Sequence, residues 1–235
     1  NVHLKLIYKK NSTTITKKRV IDKISNNKAF GIYKFEDEKL SLKNKKKFIK
    51  YLEESKKKYD LIIVSDFGHG FIDNDLASQI RKSKQFISAN AQLNSSNKGY
   101  HNLNKYKNVD CMVINESELR YELRDNITKL ELLMKKLRSN LKVKNLIVTR
   151  GSKGVVFLEK NKYFYCEAFG TKVVDKVGAG DSLLSMISLC IKCKVDINLS
   201  LLLSSLVAAY NVENIGNSKI LEKSHILKTL SHMIK

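Results

Sequence analysis

Residues 175–181 read Asp-Lys-Val-Gly-Ala-Gly-Asp and lead into an apolar run from Ser182 onward. Glycine lets backbone N–H groups approach an anion closely, and a helix start supplies unpaired donors and the positive end of a dipole. A phosphate fits such a turn. A carboxylate beside it is badly placed to bind that phosphate, because like charges repel. It is well placed to take a proton from a hydroxyl that attacks the phosphorus. The local chemistry is phosphoryl transfer with Asp181 as base. The plainer reading is a turn capped by Asp, a good N-cap residue. Residue types alone leave both open.

Elements must hold that turn in place. Residues 2–36 carry strand-like runs, Val2–Tyr8, Thr14–Ile21 and Ala29–Phe35, separated by Asn-Ser and Asn-Asn turns. From about residue 40 the texture changes. A Lys-rich amphipathic helix near 41–57 precedes the strand Leu61–Val64, a helix near 73–84 and a short strand Phe86–Ser88. Residues 90–105 read as loop, Cys111–Ile114 as strand, 116–123 and 127–140 as helices, and Leu146–Thr149 as a buried strand. A hairpin over 155–169 and helices near 179–194, 199–213 and 223–234 complete the pattern. Short apolar strands alternating with helices predict a parallel sheet covered on both faces. Ligands of such sheets gather at the carboxyl ends of the strands. The polar groups found there are Asp66, Asn115 and Glu118, and Thr149 to Gly151.

The composition excludes several classes. The chain has 235 residues, no Pro, no Trp, 10 Gly and 43% hydrophobic residues, which removes collagen-like, Pro/Gly-rich disordered and disulfide-scaffold architectures. The net charge is +21, but Lys supplies 38 of the 44 cations and Arg only 6, beside 21 Asn. Phosphate recognition favours the planar fork of Arg. The charge is therefore read as lysine-rich codon bias on a solvated surface, ahead of a nucleic-acid partner. The longest apolar stretch, near 199–209, is broken by serines and falls short of the roughly 18–20 residues of a membrane span. Cys190 and Cys193 form a CxxC in mid-helix without a second ligand pair, so the four cysteines are expected to be buried, reduced thiols of a cytoplasmic protein.

The glycine turn is not an isolated match. It resembles the C-terminal Asp-Thr-x-Gly-Ala-Gly-Asp motif of the ribokinase-like (PfkB-type) carbohydrate kinases. Asn115-Glu116-Ser117-Glu118 resembles their Asn-x-x-Glu, and 148–154 (Val-Thr-Arg-Gly-Ser-Lys-Gly) their strand and turn at the nucleotide. Val207 to Gly216 is similar to the helix and loop beside adenine. Within the family, Thr13 to Val20 and the Ser65-Asp66-Phe67-Gly68-His69-Gly70 run resemble most the kinase domain of the heptose-phosphate kinases of ADP-heptose synthesis.

The resemblance implies an α/β fold, a ribokinase-like three-layer sandwich with a mostly parallel central sheet plus a small β lid. Residues 1–38 would be lid strands and 39–235 a nucleotide-binding kinase core. It implies ATP as phosphoryl donor and Mg²⁺, with a sugar or sugar-phosphate acceptor. Asp181 would be the base, and the N–H groups of Gly178, Ala179 and Gly180 the anion hole. Asn115 and Glu118 would hold Mg²⁺ through water. Thr149, Gly151, Ala209 and Gly216 would line the nucleotide site, with Lys176, in place of the usual Thr, either pairing with its phosphates or facing solvent. Asp66, Gly68, His69 and Asn94 would meet the sugar. A fused or partner nucleotidyltransferase and a homodimer through the lid are further implications.

The chain departs from the family pattern in places. His69 stands where the family has Lys, which makes a sugar-phosphate contact weaker and pH-dependent. Asn90-Ala91-Gln92 replaces Asp-Pro-Lys. The first residue is Asn1, and the sugar-binding first strand of the family has no match, in a family whose members run to roughly 300 residues. A truncated kinase domain is therefore the expectation, with a catalytically degenerate nucleotide-binding relative or scaffold as the alternative.

Overall fold

A computed structural model describes residues 2–9, 12–22, 28–36, 39–93, 97, 102–170, 173–175, 177–214 and 220–233. The short apolar runs become the strands β3 (Leu61–Asp66), β4 (Phe86–Ala91), β5 (Cys111–Asn115) and β6 (Asn145–Thr149). They pair in parallel, each with the next in sequence. β7 (Val155–Glu159) and β8 (Lys162–Cys166) continue the sheet antiparallel as a hairpin. The six strands thus lie side by side in chain order.

Successive strand residues point to opposite faces, and each face has its own core. Met112, Ile114, Leu146, Val148, Val156 and Leu158 pack on one face with α1 (Leu42–Lys56), α2 (Asn74–Arg81), α3 (Glu116–Leu123) and α4 (Leu130–Leu141). Cys111, Val113, Ile147, Val155 and Phe157 pack on the other with α5 (Ala179–Lys192) and α6 (Ile197–Val212). The result is the expected three-layer α/β sandwich. A polar contact crosses between layers: Ser188 on α5 bonds to Ser88 on β4 at 2.6 Å, with both side chains buried. A last helix, α7 (Lys223–Met233), buries no residue.

The lid is a two-stranded antiparallel sheet, β1 (Thr16–Ile21) and β2 (Lys28–Lys34), with Lys17 opposite Tyr33 and Val20 opposite Phe30. Its outward face carries exposed Val20, Phe30 and Ile32.

Several expectations need correction. Residues 2–8 form no strand; their described neighbours offer no β partner, and the segment lies along α1, with Lys5 4.9 Å over the Tyr51 ring. The stretch expected to be loop from residue 90 begins inside β4 and holds a 3₁₀ turn, Leu103–Tyr106, whose Leu103 and Tyr106 are buried. The CxxC sits at the end of α5, not its middle, and Cys193 is exposed while Cys111 and Cys190 are buried. All four thiols are free, and burial pushes Cys111 up to about 12. Among the described residues no helix is long and apolar enough to cross a membrane.

Candidate active site

The carboxyl ends of β3, β4, β5 and β6 form one rim, and a chain of contacts runs along it. At its first end, the Ser65 hydroxyl on β3 donates to Asp181 Oδ1 at 3.0 Å. Asp181 lies in the first turn of α5, whose N-cap Gly178 has φ +83° and provides no side-chain cap. A left-handed residue there is readily adopted by glycine. It leaves the first-turn N–H groups of Ala179 and Gly180 without a side-chain acceptor. A Cβ built on Gly180 would meet no atom within 4 Å among the described residues. The approach to the turn is fixed from α6. Val174 and Asp175 both donate to the Val212 carbonyl, at 2.9 and 3.0 Å, and Asn211 donates to Ser182 Oγ at 3.0 Å. Half-buried Ala209 lies one helical turn earlier on α6.

Asp66, at the end of β3, is 4% exposed. Its carboxylate accepts from the Gly68 N–H at 2.9 Å and the Tyr106 hydroxyl at 2.8 Å, and pairs with Lys105 at 2.5 Å. Burial first, then the Asp66 charge, drive the Tyr106 phenol far above its ordinary range. These contacts fasten the loop after β3. Gly68 has φ +72°, and a Cβ there would meet Asn97 Nδ2 at 2.2 Å. That Asn97 amide clamps two loops, donating to the carbonyls of Gln92 at 2.7 Å and Phe67 at 3.3 Å. His69 is buried, its ring 4.4 Å from that of Phe35.

Asn115 and Glu118 form a capping box at the start of α3. Asn115 Oδ1 accepts from the Glu118 N–H at 2.8 Å, and Glu118 Oε2 from the Asn115 N–H at 2.8 Å. Glu118 Oε1 accepts from the Leu93 N–H at 3.0 Å, which ties the β4 loop to the start of α3. Burial raises the Glu118 pKa, and the two N–H groups oppose it only in part. An ionised carboxylate has about four lone-pair sites, so two remain for water. That donor set fits a hydrated Mg²⁺ held at one remove. The described residues contain no group of three or more His, Cys, Asp or Glu able to hold a metal directly.

Thr149 ends β6 directly beside Asn115. The turn after it closes through Arg150 N–H to the Gly154 carbonyl at 2.8 Å, and Gly151 at φ +59° has open space where a Cβ would sit. Arg150 pairs with Glu116 at 2.9 Å, and Glu116 also holds Arg120 at 2.7 Å. The rim therefore brings together Asp181, Gly178, Ala179 and Gly180 at one end and Asn115, Glu118, Thr149 and Gly151 at the other. Lys176, Gly216 and Asn94 lie outside the described residues.

The sequence reasoning gave no role to three contributors. Ser65 had a signal, its place at the carboxyl end of a parallel strand. Asn97 had none that distinguishes it in an Asn-rich loop. Lys17, on the lid, reaches Gln92 Oε1 at 3.0 Å and lies 4.7 Å over the Phe67 ring. The available clue was its place in the Thr13 to Val20 run quoted for the family resemblance.

A family model for the pfkB family of carbohydrate kinases matches residues 1–224. The chain belongs to that family. Among curated relatives it is 24% identical over 217 residues to the bifunctional protein HldE of Aliarcobacter butzleri, covering 91% of this chain and 44% of the relative. The HldE of Helicobacter pylori (strain HPAG1) is 23% identical over 207 residues, with 80% and 44% covered. The chain thus spans less than half the length of these curated relatives. Solved structures show the same ribokinase-like fold. Escherichia coli phosphofructokinase-2 superposes with a TM-score of 0.70 at 13% identity, covering 90% of this chain and 68% of that one. Ribokinase of Thermotoga maritima gives a TM-score of 0.69 at 18% identity, covering 94% and 70%.

Proposed function

We propose that the chain transfers the γ-phosphoryl group of ATP to a hydroxyl of a sugar, with a heptose phosphate as the favoured acceptor. The observation that carries this reading is Asp181, held by Ser65 beside a helix start that has no side-chain cap and whose Gly180 has no described atom within 4 Å of a Cβ. The acceptor hydroxyl gives its proton to Asp181 as its oxygen forms the new bond to phosphorus. The bond from phosphorus to the bridging oxygen breaks, and ADP leaves with that electron pair. The N–H groups of Gly178, Ala179 and Gly180 stabilise the charge on the phosphoryl oxygens. Thr149, Gly151 and Ala209 line the nucleotide, with Lys176 and Gly216 assigned there by the family motif. Mg²⁺, when bound, neutralises phosphate charge. Asn115 and Glu118 hold its water shell.

The favoured acceptor rests on the HldE relatives and on the lid motif. The same relatives support a fused or partner nucleotidyltransferase in the complete protein. Residues 1–38 are read as the lid and 39–235 as the core, and a homodimer would form through the lid face that carries Val20, Phe30 and Ile32.

The test is turnover of Mg-ATP with heptose 7-phosphate, fructose and ribose on the full gene product, beside Asp181→Asn. The expected result is a fall in kcat of about 100-fold or more, the contribution of a general base. Turnover that survives the substitution removes Asp181 from that role. Tight ATP binding without turnover on any acceptor supports the degenerate alternative, in which the chain binds nucleotide or scaffolds a partner.

A further inference from the structure

The hydroxyl that holds Asp181 belongs to the protein itself, and the transfer chemistry above gives it no reaction. Ser65 is an exposed residue of β3, the edge strand of the sheet, and its backbone is paired with Asn90 on β4. The next residue, Asp66, points to the opposite face. Tyr106 and Lys105 fasten it there. Ser65 is thus carried on an anchored strand end, and its hydroxyl donates to Asp181 Oδ1 at 3.0 Å. Both side chains are exposed on the rim. The other hydroxyls near the turn are engaged elsewhere. Ser182 Oγ accepts from Asn211 at 3.0 Å, Ser185 Oγ donates to the Asp181 main-chain carbonyl at 2.8 Å, and Thr149 Oγ1 lies 3.5 Å from the Ile114 carbonyl. Among the described residues, Ser65 has the one hydroxyl whose proton rests on that carboxylate.

A hydroxyl within about 2.6–3.2 Å of a base is the arrangement of an activated nucleophile. It is also the contact that an acceptor hydroxyl must make before it gives up its proton. Ser65 therefore occupies the position at the base that an acceptor needs. The N–H groups that would hold the transferring phosphoryl open the same helix as Asp181. We propose that, when no acceptor is bound, Ser65 itself takes the γ-phosphoryl group of ATP. Ser65 Oγ forms the bond to phosphorus, and its proton passes to Asp181. The bond from phosphorus to the bridging oxygen breaks, and ADP leaves with that electron pair. The product is a phosphoserine carrying a charge of about −1.5 to −2 at neutral pH. It stands against the Asp181 carboxylate, repels it and fills the acceptor's position, so the modified chain transfers nothing further. A bound acceptor takes over the contact with Asp181 and prevents the reaction. This rests on Asp181 acting as base in phosphoryl transfer, whichever sugar is the acceptor.

The test incubates the full gene product with Mg²⁺ and γ-labelled ATP, with and without heptose 7-phosphate or fructose, and locates the label by tandem mass spectrometry. The expected result is a single phosphoryl group per chain, on Ser65. Its rate constant should be independent of protein concentration, as for transfer within one molecule. An acceptor that is turned over should suppress the labelling. Labelled protein freed of ATP should have lost its activity on that acceptor. Ser65→Ala should lose the label. Asp181→Asn keeps the hydroxyl and removes only the base, and should slow labelling about 100-fold or more. Melting curves of both variants separate loss of label from loss of fold. Label that persists in Ser65→Ala overturns the proposal, as does label on Ser65 that is indifferent to Asp181→Asn, or an unsubstituted protein that takes up none. The two readings fail separately. Unlabelled protein that phosphorylates a sugar through Asp181 defeats the Ser65 reaction alone. Ser65 labelled through Asp181, without turnover of any sugar, defeats the sugar-kinase reading alone.

Discussion

At the scale of single residues, the glycines separate chemistry from architecture. A Cβ on Gly180 would meet no described atom within 4 Å, whereas Gly68 faces an amide at 2.2 Å in a left-handed conformation. Gly180→Ala adds a methyl group that meets no described neighbour and, on the proposed anion-hole reading, intrudes on the space for the transferring phosphoryl. We expect unchanged thermal stability and a kcat at least about tenfold lower. Gly68→Ala must displace Asn97 and adopt a strained φ, at a cost of about 1–3 kcal/mol. Melting curves beside steady-state rates distinguish the two, and a stability loss at Gly180 would contradict this reading. The carboxylates divide in a similar way. Asp181 has one hydroxyl partner and is exposed, while both oxygens of Asp66 and of Glu118 are engaged by loop groups.

At the scale of elements, helix starts organise the rim. The Asp73 cap of α2 accepts from the Leu76 N–H at 3.1 Å and pairs with Lys45 of α1. Burial works to raise the Asp73 pKa, but Lys45 and the Leu76 N–H outweigh it and leave it lowered. A lowered pKa adds stability above the ordinary carboxylate range, and that part is lost as pH falls through the lowered value. Asp73→Ala should cost about 1 kcal/mol at neutral pH, the worth of a side-chain cap. Urea melts should show this deficit narrowing at acid pH, and a deficit that widens there would refute the assignment. Much at this scale was legible in sequence. The apolar runs gave β3 to β8, because burial on one or two faces imposes such patterns; α1 showed an amphipathic period, and α6 a long apolar stretch broken by serines. Residues 2–8 misled because alternation records the chance to pair, whereas a strand also needs a neighbour. Asp181 was legible because glycines and an acid stand together in one turn. The Asp66–Tyr106–Lys105 cluster joins residues some forty apart in sequence, and no local pattern announces it.

At the scale of the whole molecule, the lysines are dispersed and some are consumed internally: Lys45 by Asp73 and Asp75, Lys105 by Asp66, Lys144 by Asp110. The +21 charge should therefore give only weak, salt-sensitive retention on nucleic acid near 150 mM salt. Filter binding with duplexes of differing sequence checks this, and selective binding at that salt would contradict it. The order of strands has a consequence of another kind. Because β3 to β8 follow one another in space as in sequence, α2 to α4 cover one face as the sheet extends. Among the described residues, the helices that cover the opposite face, with Cys111, Val113, Ile147 and Phe157, are α5 and α6, which come after the last strand. Synthesis runs from the N-terminus, so the strands of this sheet are made before the helices that cover its second face. The same helix α5 that packs Leu183, Leu184 and Ile187 on that face also brings Asp181, the proposed base, to Ser65 on the rim, so closing that half of the core and setting the proposed base in place are one packing event.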